Sequence, residues 1–214
     1  MLLGVMLLWV GAVLVVNGIW LVGQARAAAF ETSPTDRARA DASGAAPVAG
    51  AGVSVEAHPT FIQGREVAVI NIFTGFVGVV VAVTLLVQGN RAADLASVRG
   101  GAFIFLFAFT YLWVAFNNFL DAGGRAFGWF CLFVAITAVP AGIYTLNDAA
   151  GATFGIWLGL SWFAWAVLWF MFFLLLALDR PLGKLAGWSA ILVGIATAWI
   201  FGFLILEGTV KLPG

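Results

Sequence analysis

A chain of 214 residues in which 63% are hydrophobic and only 9% charged falls outside the soluble globular class, where about a quarter of residues carry charge. Its composition is that of an integral membrane protein in a lipid bilayer. Ten basic residues balance ten acidic ones, so the charge points to no nucleic-acid partner and to no anionic surface.

Six runs are long enough to cross a hydrocarbon core, which needs about 20 apolar residues per helix; they cover 1–23, 67–88, 101–119, 126–147, 153–178 and 185–207. All are apolar on consecutive residues, which predicts helices and excludes the alternating strands of a membrane barrel. The expected fold is therefore an all-α six-transmembrane-helix bundle.

In the first run Gly4, Gly11 and Gly18 recur every seven residues, a small-residue seam that lets another helix approach closely. Asn17 beside it must find a polar partner at that depth, which places it against protein or a cavity. Ala25-Arg26-Ala27 resembles a signal cleavage site, but no Lys or Arg precedes the apolar stretch, and that stretch exceeds a typical signal core. Residues 24–66 are rich in Ala, Pro, Ser, Thr and Gly and are expected to form a mobile connection. His58, the one histidine, falls in it and is expected to be simply solvated.

The second run places Asn71, Gly75, Gly78 and Ala82 on one close-packing face. In the third, Phe107 and Tyr111 lie one turn apart on a shared face. The fourth contains Pro140, which removes one helical hydrogen bond and is expected to kink the helix. It also contains Cys131, the single cysteine, which has no disulfide partner and reads as a small buried hydrophobe.

The fifth run holds Trp162, Trp165 and Trp169 at i, i+3 and i+7, on one face and spanning about 10 Å of axis. Tryptophan ordinarily sits at the headgroup level, so a mid-depth stripe needs its own explanation. The indoles either pack against neighbouring helices, line a narrow passage with each N–H available to a solute, or face lipid. The sixth run carries Ala190, Gly194, Ala198 and Gly202 at steps of four, another ladder for close helix contact.

Connections one, three and five hold seven of the ten basic residues: Arg26, Arg37, Arg39, Arg65, Arg125, Arg180 and Lys184. The other side has Arg91, Arg99 and Lys211. This bias predicts both termini outside the cytoplasm.

No Asp, Glu, Lys, Arg or His lies inside the first five runs, and Glu207 stands at the outer edge of the sixth. Ion-coupled transporters, pumps and voltage sensors keep ionisable groups at depth because those groups carry the proton, ion or gating charge. Neither a catalytic carboxylate pair, a metal-ligand cluster nor a nucleophile with a base is present within the runs, so no enzyme, metal or cofactor is expected. The polar groups that remain are neutral, and they suit a small uncharged solute.

Phe109-Thr110-Tyr111-Leu112, Trp129-Phe130-Cys131-Leu132-Phe133-Val134-Ala135-Ile136, Trp162-Phe163-Ala164-Trp165-Ala166-Val167-Leu168-Trp169, Pro181-Leu182-Gly183-Lys184 and Thr197-Ala198-Trp199-Ile200 together resemble the AmiS/UreI family of amide transporters and urea channels. Val16-Asn17-Gly18-Ile19 is similar to that family's first helix. The resemblance touches all six runs and leaves out the 24–66 connection.

It implies protomers that each enclose one pore, a homo-hexameric ring in the cytoplasmic membrane, and passive flow of urea and short, acetamide-like amides. Carried over by position, the pore-facing residues are Phe107, Tyr111, Trp162, Trp165, Leu168 and Trp169, with Asn17 as a further candidate. Two departures bear on mechanism. Val193 stands where acid-activated urea channels carry a glutamate, and the loops near 88–100 and 147–152 contain no histidine. Both place the chain nearer the amide-transporting branch and predict a channel that is not acid-gated. The 24–66 connection reads as an inert linker, with docking of a soluble amidase or urease as the alternative. A non-transporting membrane scaffold is the competing functional class, since aromatic stripes and glycine seams also serve packing alone.

Overall fold

The computed structural model describes residues 1–32 and 62–210; the side chains of 29–32 fall outside that description. His58 and most of the expected connection therefore lie outside the described residues.

Helices α1 (Leu2–Thr32), α2 (Gly64–Ala92), α3 (Leu95–Leu120), α4 (Arg125–Asp148) and α5 (Thr153–Leu176) are followed by a broken sixth span. That span comprises α6 (Gly183–Val193), a π-helical turn (Gly194–Trp199) and α7 (Ile200–Leu206). Among the described residues six helical stretches are long and apolar enough to cross a membrane, and the fold is an all-α six-helix bundle. The sequence assigned everything after residue 23 to the connection, yet α1 continues to Thr32. Ala27-Ala28 extends it, because alanine loses no side-chain entropy in a helix. Helix α4 runs unbroken through Pro140, which lies on an exposed face.

Local signals set the helix ends. Gln63 and Glu66 form a capping box on α2, with the Gln63 N–H donating to Glu66 Oε2 at 2.9 Å. Asp94 caps α3 by accepting the Ala96 N–H at 2.9 Å. A hydrogen bond from the Ser97 hydroxyl holds the Asp94 carboxyl below the usual carboxylate range. Left-handed residues end α2 at Ala93 (φ 53°) and α3 at Asp121 (φ 49°).

The helices pack as three antiparallel pairs, α2 with α3, α4 with α5, and α1 with the sixth span. Small residues make each pair close. The Gly4/Gly11/Gly18 seam of α1 meets the ladder of the sixth span directly. A Cβ at Gly11 would stand 2.6 Å from the Trp199 backbone nitrogen, and one at Gly202 would stand 2.6 Å from that of Leu8. Between α2 and α3, a Cβ at Gly78 would lie 2.8 Å from that of Ala108. Between α4 and α5, one at Gly128 would lie 2.6 Å from the Ala177 nitrogen. These approaches leave no room for a side chain, as expected where helix association depends on close van der Waals packing.

Between the pairs the packing is different. α3 and α4 have little direct backbone contact, and large aromatic side chains fill the space that α3 and α5 enclose. Asn17 and Asn71 tie α1 to α2 with reciprocal amide bonds of 3.1 and 2.7 Å, and Asn71 also donates to Val67 O at 2.9 Å. Each asparagine thus satisfies the other at a depth where an unpaired amide would be costly. Outside the apolar zone, exposed ion pairs join Arg65 to Asp121 (3.6 Å), Arg99 to Asp148 (3.0 Å) and Arg125 to Asp179 (2.9 Å). Solvent screens such pairs, and each contributes little to stability.

Candidate functional site: an aromatic-walled cavity

A cavity of about 240 Å³ opens among α1, α3, α4 and α5. Its wall is largely apolar, from Leu14, Val114, Phe127, Leu168, Phe172 and Leu176, with polar groups at Asn17, Trp20, Thr110, Tyr111, Asn117 and Asn118. From Phe107 to Asn118 on α3, and from Trp165 to Leu176 on α5, the wall runs about 16 Å along the helix axes at 1.5 Å per residue. It reaches Ala122 and Gly124, so its mouth lies on the side of the first, third and fifth connections.

The inner end is an aromatic plug. Phe107 meets Trp162, Trp165 and Trp169 edge-on, with ring centroids 5.8, 5.0 and 4.6 Å apart. Such T-shaped contacts set the positive ring edge against a neighbour's electron-rich face. Trp162 is also edge-on to Phe103 at 5.2 Å and to Trp165 at 5.2 Å.

Of the residues expected to face a pore, Asn17, Phe107, Tyr111, Trp165, Leu168 and Trp169 line the cavity. Trp162 is buried beyond Phe107, against the rings just described, and lines none of it. The expectation that every indole N–H is available to a solute fails at Trp165. Its Nε1–H donates to Thr197 Oγ1 at 2.8 Å, and Thr197 donates in turn to Val193 O at 2.6 Å. The apolar Val193 side chain makes no hydrogen bond, but Thr197, one turn further along the same span, supplies one.

The hydroxyls of Thr110, Thr137 and Ser161 likewise donate to carbonyls four residues back, a helix-internal bond that leaves no donor for a solute. What remains on the cavity wall is a short set. Among the described residues the Tyr111 hydroxyl and the Trp169 indole N–H have no hydrogen-bond partner, and neither atom is sealed from the cavity. Asn117 adds a free amide near the mouth. Trp20 Nε1 is buried with no partner, while other atoms of that ring face the cavity.

Trp20, Thr110, Val114, Phe127, Phe172 and Leu176 were not among the expected wall residues. Half of them extend the expected stripes by one or two turns: Val114 continues Phe107 and Tyr111, and Phe172 and Leu176 continue Trp165 and Trp169, while Thr110 lies between Phe107 and Tyr111.

The arrangement binds neutral molecules by shape and a few hydrogen bonds. Among the described residues no group of His, Cys, Asp and Glu could hold a metal ion, and no ionisable group other than the Tyr111 phenol lines the cavity.

Comparison with known proteins agrees with that chemistry. The family model for AmiS/UreI family transporters matches residues 58–209. A Mycolicibacterium smegmatis protein described as an amidate substrates transporter is 35% identical over 206 residues, covering 96% of this chain and 76% of that protein. The acid-activated urea channel of Helicobacter pylori strain J99 is 36% identical over 168 residues, covering 68% of this chain and 86% of the channel. The crystal structure of the Helicobacter pylori urea channel superposes with a TM-score of 0.71 at 31% identity, over 99% of this chain and all of that one. The chain belongs to the AmiS/UreI family of transporters.

Proposed function

We infer that the protein is a passive channel for urea and short amides, and that solutes cross through the aromatic-walled cavity. The observation that carries this reading is the cavity itself. Within apolar walls, the Tyr111 hydroxyl and the Trp169 N–H are, among the described residues, donors that have no partner and lie open to the cavity. An amide carbonyl needs such donors, whereas an ion would find no compensating charge there. Flat rings on both sides suit a planar solute, and the named transporters and channels among its relatives support the same substrate class.

In this reading the chain resides in the cytoplasmic membrane with both termini outside, and the mouth of the cavity faces the cytoplasm. The charge bias of the connections supports that orientation. Six protomers form a ring, each with its own passage. A soluble amidase or urease on the cytoplasmic side would consume the permeating solute.

Permeation is independent of pH in the acid range. The loops 88–100 and 147–152 carry no histidine, and the hydrogen bond from Ser97 holds the Asp94 carboxyl below the usual carboxylate range. In stopped-flow measurements on proteoliposomes, urea and acetamide permeabilities are expected to exceed those of protein-free vesicles and to stay constant from about pH 5 to 7.5, since unperturbed histidine is the side chain that titrates in this range. A large rise in flux on acidification would refute the ungated reading, and absence of any flux would refute the channel.

A further inference from the structure

We propose that Thr197 is the positioning residue for the Trp165 indole, and through it sets the solute selectivity of the passage; this rests on the channel reading above. Thr197 lines no part of the cavity and acts only through the ring that it holds.

The hydrogen bonds run one way. The Trp165 indole can only donate, and a hydroxyl has one donor and two acceptor sites. With the Thr197 proton given to Val193 O, its oxygen is oriented to accept from Trp165 Nε1. The bond does two things. It withdraws that N–H from the passage, leaving the Tyr111 and Trp169 donors to the solute, and it fixes the angle at which the ring meets Phe107. Without an acceptor, the indole N–H would be left unpaired at depth and the ring would turn to find a carbonyl, the solute's included.

The backbone beneath Thr197 is unusual in a way that bears on its aim. Gly194–Trp199 is a π-helical turn, and the Ile200 N–H reaches Ile195 O, five residues back. Steps of four residues drift by about 40° each around a regular α-helix, so Ala190, Gly194, Ala198 and Gly202 could not all stay on one straight face. All four are nevertheless buried, and Gly194 and Gly202 both press on α1. The wider turn takes up the drift. It keeps the ladder against α1 while directing Thr197 at α5, and π turns of this kind occur often at functional sites.

The test measures permeability to urea, acetamide and butyramide in proteoliposomes carrying wild type, Thr197→Ser, Thr197→Val, Trp165→Phe and the Trp165→Phe/Thr197→Val pair. Thr197→Ser keeps the acceptor and is expected to hold the wild-type acetamide-to-butyramide ratio. Thr197→Val keeps the shape without the acceptor and is expected to lower that ratio by about threefold, the scale of one side-chain hydrogen bond within a membrane. In the Trp165→Phe background, where no N–H remains, the Val change has no further effect. Equal ratios in wild type and Thr197→Val, or the same drop with Trp165→Phe already present, would overturn the assignment while leaving the channel reading intact. A wild-type protein that passes none of the three solutes would overturn both.

Discussion

Replacing Phe107 by Ala is expected to admit amides that the wild-type protein excludes. The Phe107 ring closes the inner end of the cavity, within 5.8 Å of three indole centroids, and Trp162 is cut off from the cavity by it. Removal opens the inner end of the cavity towards Trp162 and leaves three tryptophans without their shared edge-on partner. A fitted apolar site discriminates an extra methylene by about tenfold or more. That discrimination is expected to collapse, so butyramide permeability rises by about tenfold or more relative to urea. Stopped-flow light scattering on the same vesicles measures both. An unchanged ratio would mean that Phe107 is packing and not part of the passage.

The second large effect concerns assembly of the bundle. Gly11→Ala is expected to destabilise the protein by roughly 1–3 kcal/mol, the usual cost of overpacking a close contact. The added carbon would lie 2.6 Å from the Trp199 backbone nitrogen, and a backbone held in the π turn has no rotamer to yield with. Gly100→Ala is the matched control. Nothing lies within 4 Å of a Cβ there, and alanine is the better helix former by about 1 kcal/mol. Thermal unfolding followed by tryptophan fluorescence in detergent should rank Gly100→Ala at or above wild type and Gly11→Ala well below. Equal midpoints for Gly11→Ala and wild type would refute the seam.

The glycine spacing that makes Gly11 sensitive was readable from the sequence because a helix repeats its contacts every seven residues. Gly4, Gly11 and Gly18 announced a seam, and the small residues of the sixth span were its counterpart. The cavity wall was partly readable for the same reason. Phe107, Tyr111, Trp165, Leu168 and Trp169 lie on two faces that converge, and their helical spacing is visible in one dimension.

What spacing could not convey was where a stripe stops being a wall. Trp162 has the same periodicity as Trp165 and Trp169, yet Phe107 and Phe103 cover it. Trp20 follows Asn17 by three residues and shares its face, but a single indole near the end of an apolar run resembles an interfacial anchor.

The largest difference lay in hydrogen-bond partners, which depend on distances between helices. Trp165 could be read as a free donor until Thr197, 32 residues away, was found to accept its N–H. The π turn was equally hidden. A ladder at steps of four suggests a helix face, and only the packing of Gly194 and Gly202 against α1 requires the extra residue per turn.

The most direct test of the account is the urea and acetamide permeability of proteoliposomes carrying Leu168→Trp. Leu168 is buried on the cavity wall between Trp165 and Trp169, and an indole there would occupy the space through which solutes are held to move. If the variant folds and assembles like wild type by size-exclusion chromatography, the account predicts permeability at the level of protein-free vesicles. Wild-type flux through the folded Leu168→Trp protein would contradict it, because solutes would then be crossing somewhere else.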